Sequence, residues 1–416
     1  MAIIKPIKGF RPTEALAKKV ASRPYDVLNS EEARTEAEGN PYSFLRIVKS
    51  EIDLAKDVDL YDEQVYATAK NNFNEFVEKG ILVQDEKPCL YFYRLIMGEV
   101  KQTGIVCGSS SKDYFEDVIK KHEYTRPKKE KDRIKHIKTS EIHAGPVFLA
   151  YKHNKRIDEI VGEYTMHQPP TQDFEAEDGI QHTLWKVDNE GLITDIVNIF
   201  EAEIAATYIA DGHHRAASTS KVGKMLAEKN EAHTGTEDYN YFLSVLFPDN
   251  QVKIIDYNRV VKDLNGHSKE AFLEAISEKF DVENNGNQAY KPSEVGTFGL
   301  YLDSEWYVLK IKEKYKNTTD SVDSLDISIL QKYLFDPILS IIDQRTDERI
   351  DFVGGIRGMK ELERRVDSGD MQLAISIFPV SIQQLFDVAD SGKVMPPKST
   401  WFEPKLRSGL VVYKYV

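Results

Sequence analysis

Thr207-Tyr208-Ile209-Ala210-Asp211-Gly212-His213-His214-Arg215-Ala216-Ala217-Ser218 reads as the end of a short strand, a one-glycine turn and the start of a helix. The first four residues are strand formers, and Arg215–Lys229 has helix-forming composition. A helix N-terminus offers unpaired backbone N–H groups and the positive end of the helix dipole, so it attracts phosphate oxygens. Gly212 lets the backbone turn sharply and approach a ligand closely. His213 and His214 are ring N–H donors without an obligatory charge, and Arg215 offers a bidentate fork. Asp211 repels phosphate unless it holds Mg²⁺, orients a histidine or removes a hydroxyl proton. The bland reading is a capped strand-to-helix turn whose histidines hydrogen-bond in the core. Shared zinc ligation by the two histidines is disfavoured, because neighbours on a helix diverge by ~100°.

Strands and helices alternate irregularly on both sides of this turn. Asp59–Lys79 has the spacing of an amphipathic helix, with Leu60, Val65, Ala69, Phe73 and Phe76 on one side. Cys89–Met97 and Gln102–Val106 read as paired strands, Lys112–His122 as a helix and Gly145–Tyr151 as an apolar strand. His182–Trp185 reads as a strand after a turn at Asp178-Gly179, and Leu192–Ala206 as a helix. Arg126–Lys138 holds seven basic and two acidic residues and reads as a solvated face. Beyond the turn, Tyr241–Phe247 and Val252–Val261 are strands. A helix over Glu270–Lys279 and strands over Thr297–Asp303 and Trp306–Ile311 follow, then helices over Ser324–Phe335 and Lys360–Asp367 and a strand over Gln372–Phe378.

The fold class expected is α+β. The segmentation expected is an N-terminal piece over 1–79, a phosphate-binding core over 80–265, a small α+β unit over 266–318 and a closing segment over 319–416. The 416 residues suffice for two or three domains. A net charge of -13 argues against broad attraction to nucleic acid or anionic lipid, while leaving a local basic pocket open. Two cysteines, Cys89 and Cys107, are too few for a disulfide framework or a structural zinc site and are expected as buried thiols. No run of ~18 apolar residues occurs, so a cytoplasmic chain with no membrane partner is expected.

Four motifs carry a family resemblance. They are Arg23-Pro24-Tyr25-Asp26-Val27; His122-Glu123-Tyr124-Thr125 with Lys129-Glu130-Lys131-Asp132-Arg133; Tyr208–Arg215; and Met395-Pro396-Pro397-Lys398-Ser399-Thr400-Trp401-Phe402-Glu403-Pro404-Lys405. In this order, over nearly the whole chain, they resemble the domain-of-unknown-function family 1015. More narrowly, Asp211-Gly212-His213-His214-Arg215 is similar to the phosphate-gripping turn of the partition-protein-B/sulfiredoxin superfamily, in the form its free serine kinases carry. The sulfiredoxin cysteine is absent, with His213 in its place, so sulfinic-acid repair is not expected.

That resemblance implies a partition-protein-B/sulfiredoxin-like core with N- and C-terminal extensions. It also implies phosphoryl transfer between ADP or ATP and a small substrate, serine or phosphoserine, in either direction, with Mg²⁺. Gly212, His213, His214, Arg215, Arg133 and Lys398 are the expected nucleotide contacts. Asp211, His213, His214, Glu123 and Asp26 are the expected catalytic groups, with Glu123 or Asp26 as base and Asp211 as the Mg²⁺ ligand or histidine orienter. Two other readings stay open: a phosphoserine phosphatase, and a nucleotide-dependent switch without enzymatic activity. The composition leaves the oligomeric state open.

Three further features are ambiguous by sequence. Gly354-Gly355-Ile356-Arg357-Gly358 looks superficially like a phosphate loop but lacks the Gly-Lys-Ser/Thr ending. Lys398, Ser399, Thr400 and Lys405 lie in a proline-bracketed loop that reads either as an anion clamp or as a tether. His182 beside Trp185 reads as a base-stacking pair or as core.

Overall fold

A computed structural model of the chain describes residues 1–316 and 319–416. The class is α+β, with helices and several sheets. The chain divides into two compact units, Met1–Val252 with Pro404–Val416, and Lys253–Glu403. The four-segment reading drew its lines elsewhere, and its boundary at residue 318 lies outside the described residues. The reason is pairing at long range: Ile4–Lys5 pairs with Val100–Ser110, and Val412–Lys414 lies between Gly9–Pro12 and Ile142–His143. Both chain ends therefore belong to the first unit.

The first unit is built on a nine-stranded mixed sheet. Its order is Ile119–Lys120, Thr207–Asp211, Val147–Tyr151, Tyr241–Pro248, Val100–Ser110, Leu90–Met97, Gln181–Val187 and Gln172–Glu175, with Ile4–Lys5 added against Val100–Ser110. Thr207–Asp211 runs antiparallel to Val147–Tyr151, placing Asp211 opposite Phe148 and Thr207 opposite Tyr151. Leu90, Phe92, Ile105, Leu149, Ile209 and Leu246 fill a core that receives Ile193, Ile196 and Phe200 from the helix Glu190–Glu203. Removal of such side chains from water is the main stabilising contribution, about 25 cal/mol per Å². A second sheet of four short strands packs with Val20, Phe44, Phe73 and Phe76.

The expected helix over 59–79 forms as Glu63–Glu78. Asp62 caps it by accepting from the Gln64 N–H at 2.9 Å, which leaves Leu60 outside and 47% exposed. Cys89 and Cys107 are buried free thiols.

The second unit holds a six-stranded antiparallel sheet. Its order is Phe280–Gly286, Glu305–Ile311, Thr297–Leu302, Leu373–Ile377, Tyr257–Val261 and Ile350–Gly354. Val260, Trp306, Val353, Leu362 and Ala374 form its packed interior with the helix Met359–Asp367.

Three elements differ from expectation. The segment 112–122 is not one helix. It is helical over Ser111–Phe115, turns through Asp117 at φ 59°, and becomes the strand Ile119–Lys120, because Ile119 pairs with Thr207. The basic run is not merely a solvated face. It forms the helix Pro127–Ser140 with proline in its first turn, and one side buries His136, Ile137 and Ser140. Val252–Val261 is two strands rather than one. Ile254–Ile255 pairs with Trp401–Phe402, and the chain then joins the six-stranded sheet from Tyr257, with Asp256 buried at the break.

Candidate functional site

Gly212 stands at φ 98°, ψ 33° between the strand Thr207–Asp211 and the helix His213–Lys229. An added Cβ would lie in the strained left-handed region and 3.0 Å from Arg215 Nε. The turn thus needs glycine, both for its φ and for the closeness of the guanidinium.

Four charged side chains meet beside it. Arg215 is 6% exposed, and its Nη2 donates to Asp211 Oδ2 at 2.6 Å and lies 3.7 Å from Asp26 Oδ2. Its Nη1 donates to the Pro146 carbonyl. Lys405 Nζ reaches Asp211 Oδ1 at 3.3 Å. Burial alone would raise the Asp211 pKa, but Lys405 and Arg215 overcome it and hold the carboxyl well below the usual range. An acid so strongly ionised is a poor proton acceptor near neutral pH. Both its oxygens are taken by cations, so it does not fit a metal ligand without displacing Lys405 and Arg215.

The histidines are fixed from the other side by the 122–126 segment. The Arg126 backbone N–H donates to His214 Nε2 at 2.9 Å, and the His122 N–H to His213 Nε2 at 3.4 Å. With each Nε2 accepting, each neutral ring carries its proton on Nδ1. Burial pushes both histidines below the ordinary imidazole range. Nearby His122 adds to the shift at His213, and Lys129 at His214. His213 Nδ1 faces Glu123 Oε2 at 3.9 Å. His122 packs edge-on against His213 with ring centroids 4.4 Å apart, and burial drives its pKa down to about 4. Among the described residues, His122 Nδ1 and Arg215 Nε are buried polar atoms with no hydrogen-bond partner. Such atoms cost roughly 1–3 kcal/mol each unless something else pairs with them.

The structure brings Asp211, Gly212, His213, His214, Arg215, Glu123 and Asp26 to one place. Arg133 stands just behind it. It holds Asp132 at 2.6 Å and lies over the Tyr25 ring at 4.2 Å, so it secures the residue before Asp26. Lys398 belongs to the second unit, with its ammonium 5.8 Å from the Tyr257 ring centroid. The cation of that C-terminal loop which meets the turn is Lys405. The loop offered both lysines, and nothing in local spacing selected between them.

Two ambiguous motifs resolve as structural. His182 is fully buried between Tyr93 and Phe174, with ring centroids 5.9 and 5.4 Å away, and it accepts from Arg407 Nε at 3.3 Å. At Gly355 an added Cβ would sit 2.4 Å from Asp256 Oδ1, so this glycine makes room for a carboxylate.

The profile of the family described as "Protein of unknown function (DUF1015)" matches residues 4–328. The chain belongs to the DUF1015 family. Three of the four motifs fall within that DUF1015 match, and Met395–Lys405 lies beyond it. No curated protein matches the chain. Among solved structures, it is similar to a free serine kinase in complex with AMP, at 14% identity and TM-score 0.36 over 72% of this chain and 86% of that one. A conserved hypothetical protein from Pyrococcus furiosus gives 14% and 0.36 over 73% and 93%. SbnI from Staphylococcus aureus, truncated at its C-terminus, gives 9% and 0.38 over 72% and 82%. No helix among the described residues is long and apolar enough to cross a membrane.

Proposed function

We propose that the Asp211–Arg215 turn binds the phosphates of ADP or ATP and transfers a phosphoryl group between the nucleotide and serine or phosphoserine. The observation that carries this reading is the buried set of donors at one glycine turn. His213 and His214 are held neutral with their protons on Nδ1, and Arg215 is anchored with Nε unsatisfied.

Phosphoryl transfer needs positioning and charge neutralisation more than covalent chemistry. In the kinase direction the serine hydroxyl oxygen forms a bond to the terminal phosphorus as the bond to the nucleotide's bridging oxygen breaks. The hydroxyl proton passes to Glu123 or Asp26. His213 and His214 donate to the phosphoryl oxygens, while Arg215 and Lys405 offset the accumulating charge. The same groups act in reverse, because they serve the shared transition state. Asp211 positions Lys405 and Arg215 and is not the base. Mg²⁺ enters with the nucleotide as part of the substrate, and no step runs through a protein-held metal. The partition-protein-B/sulfiredoxin-like core, over roughly 80–265, is part of the same proposal and rests on the form of the turn.

The test is phosphorus NMR on the full chain with Mg²⁺, using serine with ADP or ATP and phosphoserine with ADP or AMP. Nucleotide-dependent transfer that His214→Ala abolishes is the expected outcome. Phosphate released from phosphoserine without nucleotide would replace the transferase with a phosphatase. Tight nucleotide binding with no turnover in either direction would leave the switch.

A further inference from the structure

The first unit has a pocket of about 220 Å³ whose lining includes Tyr151. That residue lies at the far end of its strand from the histidine turn: Phe148 is opposite Asp211, and Tyr151 is three residues further on, about 10 Å along the strand. The volume is below the several hundred Å³ typical of drug-sized ligands.

Its charges are arranged unusually. Arg94 is fixed in place without a carboxylate: Nε donates to Thr103 Oγ1 at 3.1 Å, Nη2 to Thr165 Oγ1 at 2.8 Å, and the guanidinium lies 4.7 Å from the Trp185 ring centroid. Among the described residues no acid lies within ion-pair distance of it. Asp158, on the helix Lys155–His167 with Thr165, also lines the pocket, and among the described residues no cation lies within that distance of it. Arg94, Lys101 and Asp158 thus share one small pocket, and among the described residues none of the three makes an ion pair.

Between Asp158 and Thr165 the helix presents only Val161 and Gly162 to the pocket. Asp158, Gly162 and Thr165 are spaced by four and three residues and share one face. A glycine inside a helix costs about 0.5–1 kcal/mol relative to alanine. Among the described residues nothing lies within 4 Å of where a Cβ on Gly162 would stand, so no packing there requires it. Its effect is to keep the floor of the pocket open. From Asp158 to Thr165 the helix rises about 10 Å, the span of a small zwitterion with a hydrogen bond at each end.

We infer that this pocket is a separate binding site for a free α-amino acid, whose carboxylate pairs with Arg94, whose ammonium pairs with Asp158 and whose backbone lies over Gly162. Burial that raises the Asp158 pKa agrees with a carboxyl awaiting a counter-ion. The site stands independently of the reaction at the histidine turn.

The experiment is calorimetric titration of the full chain with glycine and L-alanine, and with propionate and ethylamine as the two halves of the zwitterion. Alanine should bind, and each half should bind at least ten-fold more weakly. Arg94→Gln and Asp158→Asn should each weaken alanine at least ten-fold. Gly162→Leu, which fills the floor with a good helix former, should abolish binding, while His214→Ala changes nothing. Circular dichroism confirms that each variant is folded. Propionate binding as tightly as alanine with no effect of Asp158→Asn would overturn the zwitterion assignment. No binding of alanine, or binding indifferent to Arg94→Gln and Gly162→Leu, would overturn the site.

Discussion

Two strand–glycine–helix turns, both among the described residues, have opposite surroundings. In the first unit, Thr207–Asp211 leads through Gly212 into His213–Lys229, and Arg215, Lys405 and two neutral imidazoles gather there. In the second, Ile350–Gly354 leads through Gly355–Arg357 into Met359–Asp367, and the nearest group to Gly355 is the buried Asp256 carboxylate. A glycine turn supplies room and, at a helix start, unpaired N–H groups. What fills the room depends on the side chains brought there by distant parts of the chain. The first turn suits an anion, and the second already has one.

The largest expected effect comes from Arg215, since it is both buried and the partner of two acids. Arg215→Ala leaves Asp211 with Lys405 alone and Asp26 without its nearby guanidinium, and should cost about 3–5 kcal/mol, the usual penalty for breaking a buried pair. Urea melts of the full chain measure this, and a loss under 1 kcal/mol would mean that the cluster is mobile and hydrated. The second turn provides the control. Arg357 is exposed, and Arg357→Ala should leave both stability and nucleotide binding within a factor of two of the parent.

Next in size is the chemistry. His214→Ala removes one preorganised donor while leaving Arg215 and Asp211 paired, and transfer should fall by roughly 10²–10³-fold, the range for a lost oxyanion-type donor. Its melting temperature should move little, because His214 sits at the rim of the cluster. If activity and stability fall together, His214 is a packing residue and the contrast between the turns loses its functional half. Gly355→Ala is the converse experiment. Its Cβ would press on Asp256, and a loss of about 1–3 kcal/mol with unchanged nucleotide affinity is expected.

Much of the first turn was legible because its signal is local: strand formers, one glycine and a polar run at a helix start are all within twelve residues. Glu123 and Asp26 were reached through motif resemblance, and the structure does bring them to Arg215 and His213. Lys405 was not selected, since it lies 194 residues from Asp211 and only the return of the chain into the first unit delivers it. Arg94 and Asp158 gave no signal at all. Single charges on a strand and a helix look like ordinary surface until the tertiary fold shows that, among the described residues, neither has an ion-pair partner. The helix expected over 112–122 failed for the same reason, because Ile119 obeys a strand partner, Thr207, that lies far along the sequence.

The smallest effect, and the finest test of the contrast, is the response to acid. In the first unit, burial lowers His122 and His136 to about 4 from 6.5. Between those values the unfolded chain binds protons that the folded one refuses, so this unit should lose stability as pH falls from about 6.5 towards 4. In the second unit, burial raises Asp326 to about 7 from 3.8; one oxygen accepts from the Gly296 N–H at 2.8 Å and the other has no partner among the described residues. The folded state there keeps a proton that the unfolded state releases. That stabilisation is complete below the ordinary carboxyl range and is lost as pH rises through about 7. Acidification from pH 7 to 5 should therefore weaken the first unit by about 2 kcal/mol for each such histidine and strengthen the second by about 2 kcal/mol. Hydrogen exchange resolved by peptide, corrected for the intrinsic rate at each pH, separates the two responses. Asp326→Asn should remove only the second and His136→Phe only its share of the first. Parallel slopes in both units would show that the acid response is set by overall charge rather than by these buried groups, and the division of labour drawn from the two turns would not extend to stability.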